Sequence, residues 1–457
     1  MDYSASNNMV WNVVIQFGYI AAVILIANFV RQKFSLVRKS MMPVAVLAGF
    51  LLLIAKYIGI AKINQDFMEI LTYHGIALGF IAMSLRVPDK AMQEAQKGAG
   101  FKSGAVIVST YMVQGVTGLI ITILLGYTIM PKMFKAAGLL LPMGYGQGPG
   151  QANNIGASYQ SLGFEGGHSF GLAIAAMGYV IACVVGVIML NILRKHGRMR
   201  KDAVQDEVYT ADFFHSKDEM PISESIDKLS VQLAMIVLVY VVTYLVSRGI
   251  TSGISAISEG LAGTVNTLIW GFNFIIGSAL AMLLRVILEK LRAGKIIERQ
   301  YQNNYLLNRL SGLFFDMMIV AGIAGINIED IRGLVLPFIL LTVVGAITTW
   351  IHLTRVCKAV YKDYYYEGLI SMFGMLTGTI SSGVILLREI DPGMKTPAAN
   401  NLVTGSSFGI LLGAPVLVLV GLAPKSNLLC FVTLVLAAIY LAVLLFLIYK
   451  VGNRKAR

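Results

Sequence analysis

The sequence predicts an all-α polytopic membrane protein made of two inverted five-helix repeats, each with a re-entrant hairpin, plus one extra C-terminal transmembrane helix. Three observations predict it. Of the 457 residues, 56% are hydrophobic and only 13% are charged, whereas soluble domains have about 25% charged residues. Long apolar runs follow one another along the chain. Two glycine-rich polar segments interrupt this pattern at corresponding places in the two halves.

Eleven apolar runs are long enough to be read as membrane-spanning helices, which need about 20 residues. Five precede a polar stretch of mixed charge, residues 194–228, and six follow it. The predicted spans are Met9–Val30, Met42–Ile60, Phe67–Leu85, Gly104–Met130, Ser169–Leu193, Leu229–Val246, Val265–Leu288, Leu310–Ile326, Leu334–Leu353, Ala398–Leu422 and Leu428–Tyr449. Residues 1–193 and 229–422 are therefore the predicted repeats, and residues 423–457 hold the extra span and a basic tail.

Basic residues are concentrated in alternate loops. They cluster after the first, third, seventh and ninth spans, at the start of the linker and in the C-terminal tail, and the remaining loops carry only scattered bases. Because basic loops stay in the cytoplasm, we expect the N-terminus outside and both the linker and the C-terminus inside. The formal net charge of +13 fits this orientation, and we expect no nucleic-acid partner.

This orientation gives the two halves opposite topologies. The first span of the first half begins outside, whereas the first span of the second half begins in the cytoplasm. The first glycine-rich segment, about residues 131–163, falls between the fourth and fifth spans. Its partner, about residues 368–392, falls between the ninth and tenth. Two polar loops outside the membrane are the alternative, but the apolar stretches Ala136–Met143 and Gly368–Met375 favour re-entrant hairpins. Paired broken segments of this kind indicate the binding site of a secondary transporter.

Both segments have the spacing G-L-x4-G-x3-G, which is formed by Gly138, Gly144 and Gly148 and by Gly368, Gly374 and Gly378. Non-helical backbone at membrane depth is tolerated only where it is buried in protein or lines a wet cavity. There it offers carbonyls to a cation and N–H groups to an anion. The predicted substrate-binding residues are Gln147, Gly148, Gln151, Asn153, Asn154, Thr377, Gly378, Thr379, Ser381, Ser382 and Arg388.

Neutral side-chain oxygens of these segments, with one carboxylate, are candidate ligands for Na+, because hard cations take oxygen ligands. The predicted Na+ ligands are Asn153, Asn154, Ser381, Ser382, Asp316, Asn400 and Asn401. Asp316 belongs to this set because an ionisable residue in the middle of a span is by default a functional candidate. The alternatives are that the polar groups only satisfy one another, that Asp316 has a structural partner, and that Arg388 pairs with Glu389 or Asp391.

Two signatures of soluble enzymes are missing from the sequence. It has no G-x-x-x-x-G-K-[ST] phosphate loop and no H-E-x-x-H motif. We therefore expect a protein that is not an enzyme and needs no cofactor, with Na+ as a coupling ion. A channel and a membrane scaffold are distant alternatives, since neither requires an inverted pair of hairpins.

Four stretches resemble the bacterial sodium/glutamate symporter family. They are GYGQGPGQANNIG at Gly144–Gly156, GGHSFGLAIAAMGYV at Gly166–Val180, GMLTGTISSG at Gly374–Gly383 and LTYHGIALGFIAMSLR at Leu71–Arg86. The resemblance implies sodium-coupled uptake of glutamate or a related acidic amino acid across the bacterial inner membrane. It also implies homodimerisation and an elevator-like motion of a hairpin-bearing domain. A di- or tricarboxylate, or another amino acid, remains the alternative substrate.

Overall fold

A computed structural model describes residue 4 and residues 7–40, 42–87, 90–196, 228–257, 269–271, 273–391 and 396–453. In these ranges the chain is helical and forms no β-strand. Its longer helices are α1 (Asn8–Lys33), α2 (Val44–Tyr57), α3 (Gln65–Leu85), α4 (Lys90–Tyr127), α5 (Pro149–Ser161), α6 (Gly167–Lys195), α7 (Lys228–Ile257), α8 (Asn273–Ala293), α9 (Asn304–Ala324), α10 (Val335–Val360), α11 (Tyr365–Thr377), α12 (Ile380–Ile390), α13 (Ala398–Leu412), α14 (Ala414–Leu422) and α15 (Asn427–Asn453). Short helices cover Ser35–Lys39 and Ile328–Ile331.

Within the described ranges, nine helical segments are long and apolar enough to cross a membrane. Eight correspond to predicted spans, and the ninth, Phe408–Lys425, covers the second half of the predicted tenth span. The chain is therefore that of a membrane-embedded, polytopic helical protein. The predicted seventh span, Val265–Leu288, begins outside the described residues and continues as α8.

The second predicted span is shorter than expected. α2 has 14 residues and a length of about 21 Å, less than the about 30 Å of a hydrocarbon core. Pro43 precedes its first turn, and Gly59 with φ of +80° follows its last. The N–H of Ile60 bonds the Ala55 carbonyl at 2.9 Å, which closes the helix in the manner of a glycine C-cap. The predicted span Met42–Ile60 was too long because it was based on the apolar run and did not take these two helix ends into account.

The predicted tenth span, Ala398–Leu422, is also not one continuous helix. The chain breaks at Gly413 into α13 and α14, and Pro415 lies in the first turn of α14. A proline has no N–H to donate, and its ring clashes with the carbonyl four residues earlier. Pro415 therefore ends α13, although the residues around it are uniformly apolar.

The described chain divides into two compact units. The first comprises Met1–Ile70, Gln96–Val204 and Ile319–Arg457, and the second comprises Leu71–Ala95 and Gln205–Met318. In the second unit α7, α8 and parts of α3 and α9 share an apolar core formed by Ile81, Ala82, Leu85, Ile236, Val239, Ala281, Leu307 and Leu310. The first unit contains both glycine-rich segments and is the one that concerns the candidate site.

Each glycine-rich segment forms two short helical arms joined by a break. In the first, a 3-10 turn at Lys135–Leu139 and a π-helical turn at Pro142–Gly146 lead to α5. In the second, α11 leads to α12. We call these pairs hairpin 1 (residues 135–161) and hairpin 2 (residues 365–390). Each lies in the chain between two long helical segments, α4 and α6 or α10 and α13–α14.

Helix α6 contacts both hairpins through glycines. A Cβ at Gly171 would lie 2.6 Å from the carbonyl oxygen of Ala152 in hairpin 1. A Cβ at Gly178 would overlap the carbonyl oxygen of Thr377 in hairpin 2. Small residues let helices approach this closely in membrane proteins. Helix α6 thus sets the positions of both hairpins.

Candidate functional site

The break in hairpin 1 lies at Gln147 and Gly148. Gly148 has φ of +89° and ψ of −175°, a backbone conformation that is essentially restricted to glycine. The next residue, Pro149, begins α5, where a proline costs no hydrogen bond because the first N–H groups of a helix have no partner. The sequence Gly-Pro therefore ends the π-helical turn and starts a new helix at one point.

The break in hairpin 2 lies at Gly378 and Thr379. The N–H of Gly378 bonds the Gly374 carbonyl at 3.1 Å and ends α11. Thr379 is extended, with φ of −143° and ψ of 173°, and α12 begins immediately after it. The third glycine of the shared sequence pattern thus lies at the break in each hairpin.

The two breaks contact each other. A Cβ at Gly148 would lie 3.5 Å from Cγ2 of Thr379 and 3.8 Å from the carbonyl oxygen of Gly378. Tyr179 of α6 lies beside them, with its hydroxyl 3.9 Å from the same Cβ position. Segments more than 200 residues apart in sequence therefore form one site, which we call the tip site.

Two helix N-termini meet at the tip site. Helices α5 and α12 both start at a break, and neither has a side chain that caps its first N–H groups. The N–H groups of a first helical turn have no partner within the helix, and the helix dipole makes this end attractive to anions. The tip site thus has favourable positions for a carboxylate without containing a basic side chain from either break.

Gln114 of α4 connects the hairpins just before their breaks. Its Nε2 donates to the carbonyl of Leu376 at 2.9 Å and to Oγ1 of Thr349 at 3.0 Å. Its Oε1 would lie 3.0 Å from a Cβ at Gly146 and has no hydrogen-bond partner among the described residues. One amide therefore holds hairpin 2 and presents an unused acceptor toward hairpin 1.

Other buried polar groups of the breaks also lack hydrogen-bond partners within the described ranges. These atoms are Oε1 and Nε2 of Gln151, Oγ1 of Thr379 and Oγ of Ser382. Gln151 is only 1% exposed and Ser382 3%. An unsatisfied buried donor or acceptor costs about 1–3 kcal/mol, so their concentration at one place is costly for folding alone. Together with Oε1 of Gln114, the set combines one amide donor, two hydroxyls and two amide oxygens, which suits a polar solute and a hard cation.

Asn153 and Asn154 lie in α5, about one turn after its start at Pro149. Their amides contact each other, and the Asn153 amide also contacts α6. Nδ2 of Asn153 is 3.3 Å from Oδ1 of Asn154, and Oδ1 of Asn153 is 2.6 Å from Nε2 of His168. Nδ1 of His168 is in turn 3.5 Å from a carboxylate oxygen of Glu69. The structure thus places the Asn153 amide in a polar chain that leads away from the tip site.

The remaining predicted site residues lie at different distances from the breaks. Thr377 is buried, and its hydroxyl bonds the Phe373 carbonyl at 2.8 Å. Gln147 is half-buried at the break itself. The side chain of Ser381, in the first turn of α12, lies outside what the structure describes. Arg388 is exposed in the last turn of α12, about 13 Å along the helix axis from Thr379.

Three predicted Na+ ligands belong to elements outside the hairpins, Asn400 and Asn401 to α13 and Asp316 to α9. Nδ2 of Asn401 donates to the Tyr364 hydroxyl at 2.7 Å, at the base of hairpin 2 and one α11 length from its break. Asn400 precedes it in the first turn of α13. Asp316 is an exposed residue of α9 in the second unit, so the tip site as described in the first unit does not include it.

Three residues near the site were not singled out from the sequence: Gln114, Tyr179 and His168. Gln114 is a buried residue and the one amide side chain in the predicted span Gly104–Met130, and this is a signal that sequence inspection could have used. His168 lies at the start of α6, and its partner Asn153 becomes apparent only when the chain has folded back. Tyr179 gave no signal, because a tyrosine within a span is usual.

Gly148→Ala tests the backbone at the break. Alanine is strained at φ of +89°, and we expect a loss of about 1–3 kcal/mol in stability together with loss of any activity at the tip site. The matched control is Gly163→Ala, since Gly163 has φ of +99° and no neighbouring atom within 4 Å of its Cβ position. Thermal unfolding should show a similar loss for both variants. An equal loss of activity in both would contradict a specific role for Gly148.

No protein-family model matches this chain, and the comparison with curated proteins finds no match.

Proposed function

We propose that this protein is a secondary transporter that carries a small organic anion together with Na+ through the tip site. The observation that carries the proposal is the contact between the breaks at Gly148 and Gly378, where buried polar groups have no hydrogen-bond partner among the residues that the structure describes. Discontinuous helices at the interface of two repeats are where secondary transporters commonly bind substrate and ions. The same element order around both hairpins supports this reading.

The chemistry of the site favours an anion and a cation bound together. The N-termini of α5 and α12 attract a carboxylate, and the oxygens of Ser382, Thr379 and Gln151 suit Na+. Because these side chains are neutral, a bound anion is best compensated by a bound cation, and their attraction is strong where water is excluded. Each ligand should therefore raise the affinity for the other by the same factor.

Glutamate or a related acidic amino acid is the substrate we propose first, and a di- or tricarboxylate or another amino acid is the alternative. In the proposed cycle, Na+ and substrate bind between the hairpins, and an elevator-like motion of the hairpin-bearing domain carries the loaded site across the membrane. A membrane potential contributes about 2.3 kcal/mol per net positive charge per 100 mV, so excess Na+ would drive accumulation. We further propose the bacterial inner membrane as the location and a homodimer as the assembly.

Uptake of labelled glutamate into proteoliposomes, with and without an inward Na+ gradient, tests the proposal. We expect accumulation above the external concentration that requires Na+ and collapses when a sodium ionophore is added. Uptake that only equilibrates would indicate a channel. If glutamate, other amino acids, dicarboxylates and tricarboxylates all fail to accumulate under a Na+ gradient, sodium-coupled anion transport is wrong. Protein-free liposomes are the control for leakage.

A further inference from the structure

One side chain of α4, that of Gln114, contacts both hairpins at equivalent positions. It is completely buried. Its Oε1 lies 3.0 Å from the Cβ position of Gly146, two residues before Gly148 in hairpin 1. Its Nε2 donates to the carbonyl of Leu376 at 2.9 Å, two residues before Gly378 in hairpin 2. A single amide group therefore joins the two hairpins immediately before their breaks.

The donor side of this amide holds the end of α11. The last four carbonyls of a helix have no N–H partner within the helix, and α11 ends at Thr377, so the Leu376 carbonyl is one of them. Gln114 supplies the N–H that this carbonyl accepts. Nε2 also donates to Oγ1 of Thr349 in α10 at 3.0 Å, which leaves the amide with its donors in use and its orientation fixed.

The acceptor side of the amide is unused. Oε1 of Gln114 is buried and has no hydrogen-bond partner among the described residues. An amide oxygen accepts and cannot donate, so the group that completes it is a cation or an N–H or O–H donor. The neighbouring breaks contain further buried oxygens without partners, which belong to Gln151, Thr379 and Ser382. Neutral oxygens gathered in this way are the ligands that a hard cation takes.

Other polar contacts between α4 and α10 show what a purely structural link looks like here. Oγ of Ser109 lies 3.0 Å from Nε2 of His352. The hydroxyl of Thr117 donates to that of Thr348 at 3.4 Å. Each of these contacts joins the two long helices alone. The Gln114 amide differs, because it also contacts both hairpins and keeps an acceptor without a partner.

We propose, on the basis of the proposed function, that Gln114 is a positioning residue that transmits Na+ binding in the tip site to hairpin 2. A cation at Oε1 polarises the amide and strengthens its N–H donation to the Leu376 carbonyl, since connected hydrogen bonds reinforce one another. The firmer end of α11 fixes the break at Gly378 and Thr379, and with it the N-terminus of α12, which attracts the anion. Na+ thus prepares hairpin 2 for the substrate, and by linkage the substrate favours Na+.

Amide hydrogen exchange of the purified full-length protein in NaCl and in KCl tests this role. In the wild type, Na+ should slow the exchange of residues 376–383 relative to K+ and leave residues 365–370 unchanged. Gln114→Met should speed the exchange of residues 376–383 in KCl by about fivefold, the factor that corresponds to one hydrogen bond, and should abolish the effect of Na+. A purely structural link would give the first change without the second.

The matched control is Thr349→Val, which removes the other acceptor of the same Nε2 and leaves Oε1 and the contact with Leu376. It should keep the effect of Na+ on residues 376–383. If Gln114→Met does not fold, Gln114→Glu takes its place. Its ionised carboxylate keeps an oxygen toward hairpin 1 but has no N–H for the Leu376 carbonyl, so the effect of Na+ on hairpin 2 should again be lost.

Equal exchange of residues 376–383 in NaCl and KCl in the wild type would overturn this role, as would an effect of Na+ that persists in the Gln114 variants. The proposed function is judged separately, by uptake in proteoliposomes. Accumulation of substrate without an effect of Na+ on hairpin 2 would reject the role of Gln114 alone. An effect of Na+ that requires Gln114, in a protein that accumulates no organic anion, would support the role and reject the proposed transport.

Discussion

Gln151→Leu should abolish Na+-driven accumulation and leave the protein at least as stable as the wild type. Both polar atoms of the Gln151 amide are buried and have no hydrogen-bond partner in the described part of the chain. Replacing such a group by an apolar one of similar size removes a desolvation cost of about 1–3 kcal/mol. A side chain that is present only for packing would give the same gain in stability when replaced, but transport would stay intact. Increased stability with lost transport is therefore the signature of a binding residue.

Ser382→Ala should behave in the same way with a smaller effect on stability, since only one hydroxyl without a partner is removed. If that hydroxyl is a Na+ ligand, the concentration of Na+ that gives half-maximal uptake should rise more than that of the substrate. Titrations of Na+ and substrate in proteoliposomes, together with thermal unfolding, measure both effects. Because the two ligands are thermodynamically linked, substrate affinity should fall at low Na+ and recover at high Na+.

The control for both variants is Ser371→Ala. Ser371 is a buried residue of hairpin 2, which also contains Ser382, but its hydroxyl donates to the Gly368 carbonyl at 3.2 Å within α11. Its removal should change stability by less than about 1 kcal/mol and leave transport intact. Normal accumulation by Gln151→Leu and Ser382→Ala would show that the tip site does not bind the ligands. Loss of transport in Ser371→Ala as well would show that any change in hairpin 2 is inactivating.

Much of this architecture is visible in the sequence because lipid imposes simple rules. Apolar runs locate most helices, since only a helix satisfies its own backbone in a bilayer. The glycine-rich segments are also visible in the sequence, because they interrupt the continuous apolar helices that a bilayer requires. The third glycine of each pattern lies at a helix break. Pro415 indicates the end of α13. The sequence prediction nevertheless took Ala398–Leu422 as one span, because the residues around Pro415 are uniformly apolar.

The composition of the tip site was harder to predict because it depends on approach in three dimensions. Thr379 and Ser382 follow a visible glycine break. Gln114 comes from the middle of α4 and becomes relevant only because α4 packs against both hairpins. Arg388 lies in the same short helix as Ser382, and sequence proximity favoured it, but two helical turns separate it from the break. Nearness along a helix is thus a weak guide to which side chains share a site.

The close approach of α4 to hairpin 1 provides the largest expected effect on stability. A Cβ at Gly118 would overlap the backbone carbonyl of Gly138, and a Cβ at Gly138 would overlap the backbone of Gly118. Two facing glycines thus place two backbones in direct contact. The obstacle is backbone on both sides, so no side chain can move away to make room.

Gly118→Ala should therefore destabilise the protein by about 3 kcal/mol or more, at the upper end of what overpacking costs. Gly115→Ala is the matched control on the same helix, because its Cβ would lie 3.5 Å from Leu139 and 3.7 Å from Pro142, at ordinary contact distances. Alanine favours helix over glycine by about 0.5–1 kcal/mol, so Gly115→Ala should be neutral or stabilising in thermal unfolding. If both variants unfolded at the same temperature, hairpin 1 would not pack on α4 at these glycines. Since hairpin 1 also supplies Gly148 and Gln151, separation of these backbones should shift the tip site and weaken Na+-driven uptake in Gly118→Ala alone.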